Sequence, residues 1–205
     1  MKDLIKRLFD IFFSLVAIIM LLPVFLFIYI SIKIKSPGSP AIFKHTRIGK
    51  HGKCFQVYKF RTMVIDAEKI LEQWLRDNPL IKKEYEKDFK LKEDPRIIPG
   101  IGSFLRKYSL DELPQFFNSL LGDMSIVGPR PIVEKEKLKY GKYSEKLLSV
   151  KPGITGLWQV SGRNDIDYKE RIAIDMQYID NWSIIYDIKI IIKTIEVVVF
   201  TKGAY

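Results

Sequence analysis

Cysteine is almost absent from this chain of 205 residues: Cys54 stands alone, which excludes an internal disulfide and a cysteine cage for zinc. A lone thiol fits a reducing, cytoplasmic setting. Histidine is nearly as scarce, with His45 and His51 six apart in a turn-rich stretch and no cluster of further ligands beside them. Acidic residues are outnumbered 24 to 34 by Lys and Arg, leaving a formal charge of +10. Such a surplus attracts anions of every kind, whether nucleic acid, acidic lipid or phosphorylated small molecules, and does not choose among them. Length excludes two comfortable domains and allows one domain with appendages.

Long apolar runs are also missing, with one exception. Residues 8–32 are apolar apart from Asp10, Ser14 and two tolerant positions, Pro23 and Ser31. About 25 residues at about 1.5 Å each make a helix of roughly 37 Å, enough to cross a bilayer. No small-x-small cleavage pattern follows, so the run is expected to be retained rather than removed as a signal peptide. Pro23 interrupts its middle, where a proline deletes a backbone hydrogen bond. Lys2, Lys6 and Arg7 precede the run, and Lys33, Lys35, Lys44 and Arg47 follow it. Symmetric positive flanks fit a helix that enters the membrane, bends and returns to the same face; a kinked single pass fits the same residues.

The breaker cluster 36–40 precedes two strand-like stretches, 41–47 and 53–60, around Gly49 and Gly52, which predict a β-hairpin. Ala67, Ile70, Leu71, Trp74 and Leu75 keep the spacing of an amphipathic helix. Residues 82–94 alternate in charge and read as a solvated excursion. Residues 134–146 predict a surface helix or loop without chemistry. From Ile184 to Val199 apolar residues recur at helical period, predicting a helix against a membrane or under the site, with Trp182 at its entrance.

The richest chemistry lies in 106–131. Asp111 and Glu112 are adjacent carboxylates, preceded by Arg106 and Lys107 and followed by a Gly-Pro turn carrying Arg130. Ser109 to Glu112 matches a capping box, but Pro114 favours Asp111 as the helix cap, with Leu113, Phe116, Phe117, Leu120 and Leu121 forming an apolar face that stops at Gly122. A capping carboxylate is expected to stay ionised through the helix dipole. Adjacent helical residues face different ways, which suits the two acids to different tasks. An ionised aspartate is a competent nucleophile toward phosphorus when cations neutralise the electrophile. Arg106 and Arg130 are candidate clamps on phosphate oxygens, and Mg2+ on Asp111 and Glu112 would complete the neutralisation. Residues 151–163, with Gly153, Gly156 and Gly162, predict a loop in which backbone either approaches a ligand or turns.

Four ordered stretches, Lys59-Phe60-Arg61-Thr62-Met63, residues 109–115, residues 122–131 and residues 151–163, together resemble the bacterial sugar transferase family. These are monotopic polyprenyl-phosphate phosphoglycosyl transferases. The resemblance implies an α+β, mainly helical fold: a membrane-embedded re-entrant helix hairpin over 1–35, then a small cytoplasmic catalytic domain over 36–205 with a β-hairpin and interfacial amphipathic helices. It implies Asp111 as the nucleophile toward a UDP-sugar, with transfer to undecaprenyl phosphate through an aspartyl-phosphosugar and release of UMP. Glu112 would assist with protons or Mg2+. Lys59 and Arg106 match phosphate-interacting positions, Asp175 a further acidic position, and Arg130 and Arg163 substrate-contacting ones. The implied location is the cytoplasmic face of the bacterial inner membrane, at the phospholipid bilayer. The charged excursion and the ending 200–205 lean toward galactose or glucose donors. A homodimer through that excursion is compatible with the sequence. Two other classes stay open: a membrane-anchored basic module and a phosphohydrolase using the same aspartate. Dispersed cations and the lack of a nucleic-acid motif argue against nucleic acid as a partner.

Overall fold

The computed structural model describes residues 2–79, 81–82, 85, 91, 94–162 and 166–199. Most of the charged excursion 82–94, Arg163 and the ending 200–205 therefore lie outside the described residues. The remainder is mainly helical, with a two-stranded hairpin and a second, two-stranded parallel pair.

Helix α1 runs Lys2–Lys35 and keeps Pro23 inside it. The proline offers no amide hydrogen to the carbonyl of Ile19, yet helix continues on both sides. Two arms flank it, and both pack on the rest of the chain. Before Pro23, the Arg7 guanidinium donates to the carbonyls of Ser119 and Leu120 at 2.6 and 2.8 Å. Beyond it, the Phe25 ring meets Phe117 edge-on at 5.7 Å, and Ile28 and Ile32 are buried. Between these anchors the helix presents Leu15, Ile19, Met20 and Leu22 outward.

The predicted hairpin is present: β1 (Ile42–Ile48) pairs antiparallel with β2 (Cys54–Phe60), Phe43 opposite Lys59 and Arg47 opposite Phe55. Alternation puts Phe43, His45 and Arg47 of β1 on one face together with Phe55, Val57 and Lys59 of β2. Helix α2 (Ala67–Asp77) follows where the period predicted it. Helix α3 (Gly102–Lys107) carries Arg106, and α4 (Gln115–Leu121) follows the acid pair.

Strand β3 (Ser125–Val127) pairs parallel with β4 (Gly153–Thr155). Here a predicted loop is instead a strand followed by a helix, for a packing reason. A Cβ on Gly153 would lie 2.1 Å from the amide nitrogen of Gly128, so the glycine admits neighbouring backbone rather than a ligand. The surface stretch after β3 forms α5 (Glu134–Tyr140) and α6 (Ser144–Leu147), with Tyr140 buried. Helices α7 (Leu157–Ser161), α8 (Tyr168–Asp180) and α9 (Ile184–Val199) complete the order.

Three apolar clusters hold these parts. One joins Ile28 and Ile32 of α1 to Ala41, Phe60, Ile98 and Leu105. A second gathers Ile48, Ile132, Tyr140, Leu147 and Met176 and contains no residue of α1. The third unites Ile126, Val127, Val160, Tyr178 and Ile190. Buried polar ties add direction. Oδ1 of Asp10 accepts from Lys6, from the Ser125 hydroxyl and from the Ile126 amide, which fastens α1 to β3.

Candidate active site

Asp111 and Glu112 do not open a helix. They lie in a 3-10 turn, Leu110–Glu112, entered through Ser109 at a left-handed φ of 54°, and α4 starts only at Gln115 after Pro114. Asp111, expected as the helix cap, instead sits inside the turn; Pro114 holds the cap position of α4, and the Ser109 capping box does not form either. Pro114 explains the displacement: it has no amide hydrogen to give, and the regular helix begins with the residue after it.

The turn sets the two acids at the end of β2. The Lys59 ammonium donates to Glu112 Oε1 at 2.6 Å and lies 3.8 Å from Asp111 Oδ2. Arg106 comes up from α3, its Nε donating to the Thr62 hydroxyl at 3.0 Å. It lies within electrostatic reach of Asp111, not in hydrogen-bond contact with it.

The electrostatics of Asp111 differ from the expectation for a capping residue. Burial, the largest influence, pushes its carboxyl up to about 6. Lys59 opposes the shift, Glu112 adds to it, and Arg106 opposes it more weakly. The side chain is only 14% exposed, against 30% for Glu112. Asp111 is therefore a desolvated carboxylate, mostly ionised at pH 7, with one cation nearby. Stripping water from an anion raises its free energy and its reactivity together.

Further cations continue along the hairpin face. His45 is held below its ordinary value by burial and by Arg47, Lys59 and Arg130. Arg47 donates to the Pro131 carbonyl and Glu136, both at 3.4 Å. Arg130 lies over the Trp158 ring at 6.0 Å, and Arg171, one turn before Asp175 on α8, lies over the same ring at 4.7 Å. The structure thus brings Lys59, Arg106 and the acid pair together, and sets Arg130 in a neighbouring arginine cluster.

Asp175 does not join the acid pair. It is buried under Arg171, accepting a hydrogen bond from the Tyr140 hydroxyl at 2.8 Å, and burial pushes its carboxyl up to about 6. Its neighbours Tyr140 and Arg171 were missed by sequence reasoning. The available signal was Arg171 four residues before Asp175, one helical turn away. Asp10 was missed too, although Lys6, Asp10 and Ser14 recur every fourth residue through an apolar run and so share one face.

No cluster of three or more acidic, histidine or cysteine ligands occurs among the described residues. Magnesium is commonly held by one or two carboxylates, with water and substrate phosphates filling the rest. Asp111 and Glu112 fit that sparse mode, with Lys59 already sharing the neutralisation of Glu112.

A family model described as bacterial sugar transferase matches residues 1–201. The chain is 51% identical over 201 residues, 98% of its length, to a Salmonella typhimurium protein named undecaprenyl-phosphate galactose phosphotransferase, of which it covers 42%. It is 48% identical over 98% of its length to a UDP-galactose-lipid carrier transferase of Erwinia amylovora, again covering 42%. With the exopolysaccharide production protein ExoY of Sinorhizobium fredii it shares 44% identity, over 98% of this chain and 88% of that one. The chain thus spans about two fifths of the first of these relatives and nearly all of ExoY. Four motifs, the hairpin and the acid turn lie inside the matched span, and the chain belongs to the bacterial sugar transferase family.

Proposed function

We propose that this protein transfers a hexose-1-phosphate from a UDP-sugar to undecaprenyl phosphate, the first membrane step of an exopolysaccharide, capsule or O-antigen. The observation that carries the reading is Asp111: a desolvated carboxylate, raised to about 6, facing Lys59 at 3.8 Å. Galactose is the favoured hexose, since the relatives at 51% and 48% identity bear galactose in their names and the one naming UDP-glucose is 38% identical.

In the first step an Asp111 oxygen attacks the sugar-linked phosphorus. The bond from that phosphorus to the bridging oxygen breaks, UMP leaves with the electron pair, and the sugar phosphate stays on Asp111. Lys59 and Arg106 neutralise charge on the phosphate oxygens as it redistributes. In the second step an oxygen of undecaprenyl phosphate attacks the same phosphorus and the Asp111 carboxylate departs, giving the lipid diphosphate sugar. Glu112, beside the nucleophile, takes the proton of an incoming phosphate monoanion. Mg2+ bound by Asp111 and Glu112 would add Lewis-acid neutralisation of the diphosphate.

The lipid acceptor requires a site at the bilayer. Helix α1 is long and apolar enough to cross a membrane by length and composition. Its arms support a re-entrant course with both ends cytoplasmic. Residues 7 and 25 would stand about 27 Å apart on a straight helix, yet Arg7 and Phe25 both reach α4, a helix of 7 residues. An outward stripe on α9, Ile185, Ile188, Ile192 and Ile195, would lie on the headgroup layer.

The test is single-turnover labelling. Purified protein given UDP-galactose labelled in its sugar should release UMP and retain label, then surrender the label to undecaprenyl phosphate. Asp111→Asn should lose at least about 1000-fold in UMP release. Labelling should fall as pH drops through about 6, because protonation removes the nucleophilic lone pair. Water-dependent release without transfer would identify a phosphohydrolase instead, and undiminished turnover by Asp111→Asn would end the nucleophile assignment.

A further inference from the structure

Arg171 is buried, with its residue 9% exposed. Its Nε and Nη2 have no hydrogen-bond partner, and the nearest carboxylate oxygen, Asp175 Oδ2, is 3.9 Å from Nε. The guanidinium is fixed between two rings, 4.7 Å from Trp158 and 5.3 Å from Tyr168. Those rings repeat the anomaly: the Trp158 Nε1 and the Tyr168 hydroxyl are buried and unpartnered as well. Arg130 approaches the same indole at 6.0 Å.

Native proteins rarely leave buried donors unpaired, and least of all charged ones. Here four such atoms on three neighbouring side chains share one neighbourhood. Every one of them can donate, so the group that satisfies them is rich in acceptors. Arg130 and Arg171 bring two positive charges, and Asp175 beneath them brings one negative. The missing occupant is an anion, and a phosphate fits the planar, forked guanidinium donors.

Position along the hairpin indicates which phosphate. Lys59 marks the acid-pair end of the face, opposite Phe43, and Arg47 lies four residues along β1 from Phe43. The two ends adjoin electrostatically: His45, between them, feels both Lys59 and Arg130, and Arg47 feels both Glu112 and Arg171. The apolar cluster at the Phe60 end includes Ile28 and Ile32 of α1, whereas the cluster at the Ile48 end, beneath Arg47 and the neighbours of Arg171, includes nothing from α1. On the transferase reading, a lipid-borne acceptor would come in beside Ile28 and Ile32 of α1, at the Lys59 end. The water-soluble half of the donor extends the other way.

We propose that Arg171, steered by Asp175 and flanked by Arg130, Trp158 and Tyr168, binds the phosphate of the nucleoside monophosphate half of the donor. This rests on the transferase reading above and adds a subsite to it. The arginine cluster holds the leaving UMP while Lys59 and the acid pair handle the transferred phosphorus.

Calorimetric titration of the full chain in detergent with UMP, uridine and inorganic phosphate tests this without turnover. UMP should bind, and uridine at least roughly 10-fold more weakly. Arg171→Met should weaken UMP by roughly 10- to 100-fold, and Arg171→Lys should restore part of that loss, since it keeps the charge without the fork. In steady state both variants should raise KM for the UDP-sugar and leave KM for undecaprenyl phosphate unchanged. Thermal melts identify a variant that has lost its fold, in which case the milder Arg171→Lys and Tyr168→Phe decide. Parental UMP affinity in folded Arg171→Met, or a defect confined to undecaprenyl phosphate, would overturn the proposal. The two readings fail separately: UMP binding through Arg171 without labelling of Asp111 sinks the transferase, and labelling of Asp111 with normal UMP binding by Arg171→Met sinks the subsite.

Discussion

Two groups of buried carboxylates in this molecule have opposite surroundings. Asp10 and Asp187 are almost wholly buried, and both are fully supplied. Asp187 accepts from Lys6 at 2.7 Å, from the Tyr178 hydroxyl at 2.8 Å and from the Trp182 indole at 3.1 Å. Asp10 shares the same Lys6 and adds Ser125 and Ile126. Asp111 is less enclosed, its side chain 14% exposed, but its nearest cation is at 3.8 Å and its carboxyl is driven up to about 6. A carboxylate wrapped in donors is a fastening, here tying α1 to β3 and α9. One that has lost its water and regained little beyond its own backbone amide is held at high free energy, which is useful only where it reacts.

The largest expected effect comes from breaking the supplied group. Lys6→Met would leave Asp10 and Asp187 facing each other's neighbourhood with no cation. Removing one partner from a buried ion pair costs about 3–5 kcal/mol, so denaturant unfolding should show a loss of that size at pH 7. A Lys6→Met protein as stable as the parent at pH 7 would refute the view of this triad as a structural clamp.

The opposite sign is expected at Asp111. Its folded value, about 6, lies above its ordinary 3.8. Folding therefore favours the protonated acid, so the cost to stability builds as pH rises from 3.8 to about 6 and is fully present above that. Asp111→Asn removes that cost and should stabilise the protein by about 3 kcal/mol at pH 7. The gain should decline from about pH 6 downward and disappear near pH 4, where parent and variant are both neutral. Stability gained where activity is lost would be the signature of a strained nucleophile. A destabilised Asp111→Asn at pH 7 would instead class Asp111 with Asp10.

Much of this contrast was open to sequence reasoning and part of it was not. The hairpin over 42–60 and the helices from Ala67 and Ile184 follow from local period and turn residues, which act over a few positions. The acid pair and its cations are likewise contiguous or motif-bound. The environment of Asp111 was misjudged because Pro114 shifts the helix start to Gln115, and because burial, which no local pattern reports, outweighs the helix dipole. Strand β4 was hidden for a related reason: its pairing with β3 joins residues 28 positions apart, Ser125 with Gly153. Arg171 escaped notice because its meaning lies in Trp158, Tyr168 and Arg130, which only the fold assembles.

Between the two extremes lies Asp175, raised to about 6 like Asp111, but buried and supplied with one good donor where Asp10 has three. Tyr140→Phe asks which kind it is. Loss of the 2.8 Å hydrogen bond leaves the carboxylate with Arg171 at 3.9 Å as its remaining polar neighbour. The Tyr140 bond lowers the Asp175 value, so its removal should carry that value further above 6. The expected cost is about 1 kcal/mol at pH 7, with recovery below pH 6 as the acid protonates in both states. If Asp175 also steers Arg171, the same variant should weaken UMP binding by less than about 10-fold, because the guanidinium keeps its rings and loses only part of its counter-charge. A stability cost with parental UMP affinity would make Asp175 a fastening alone. An affinity loss that follows the protonation of Asp175 would make it the residue that aims the arginine.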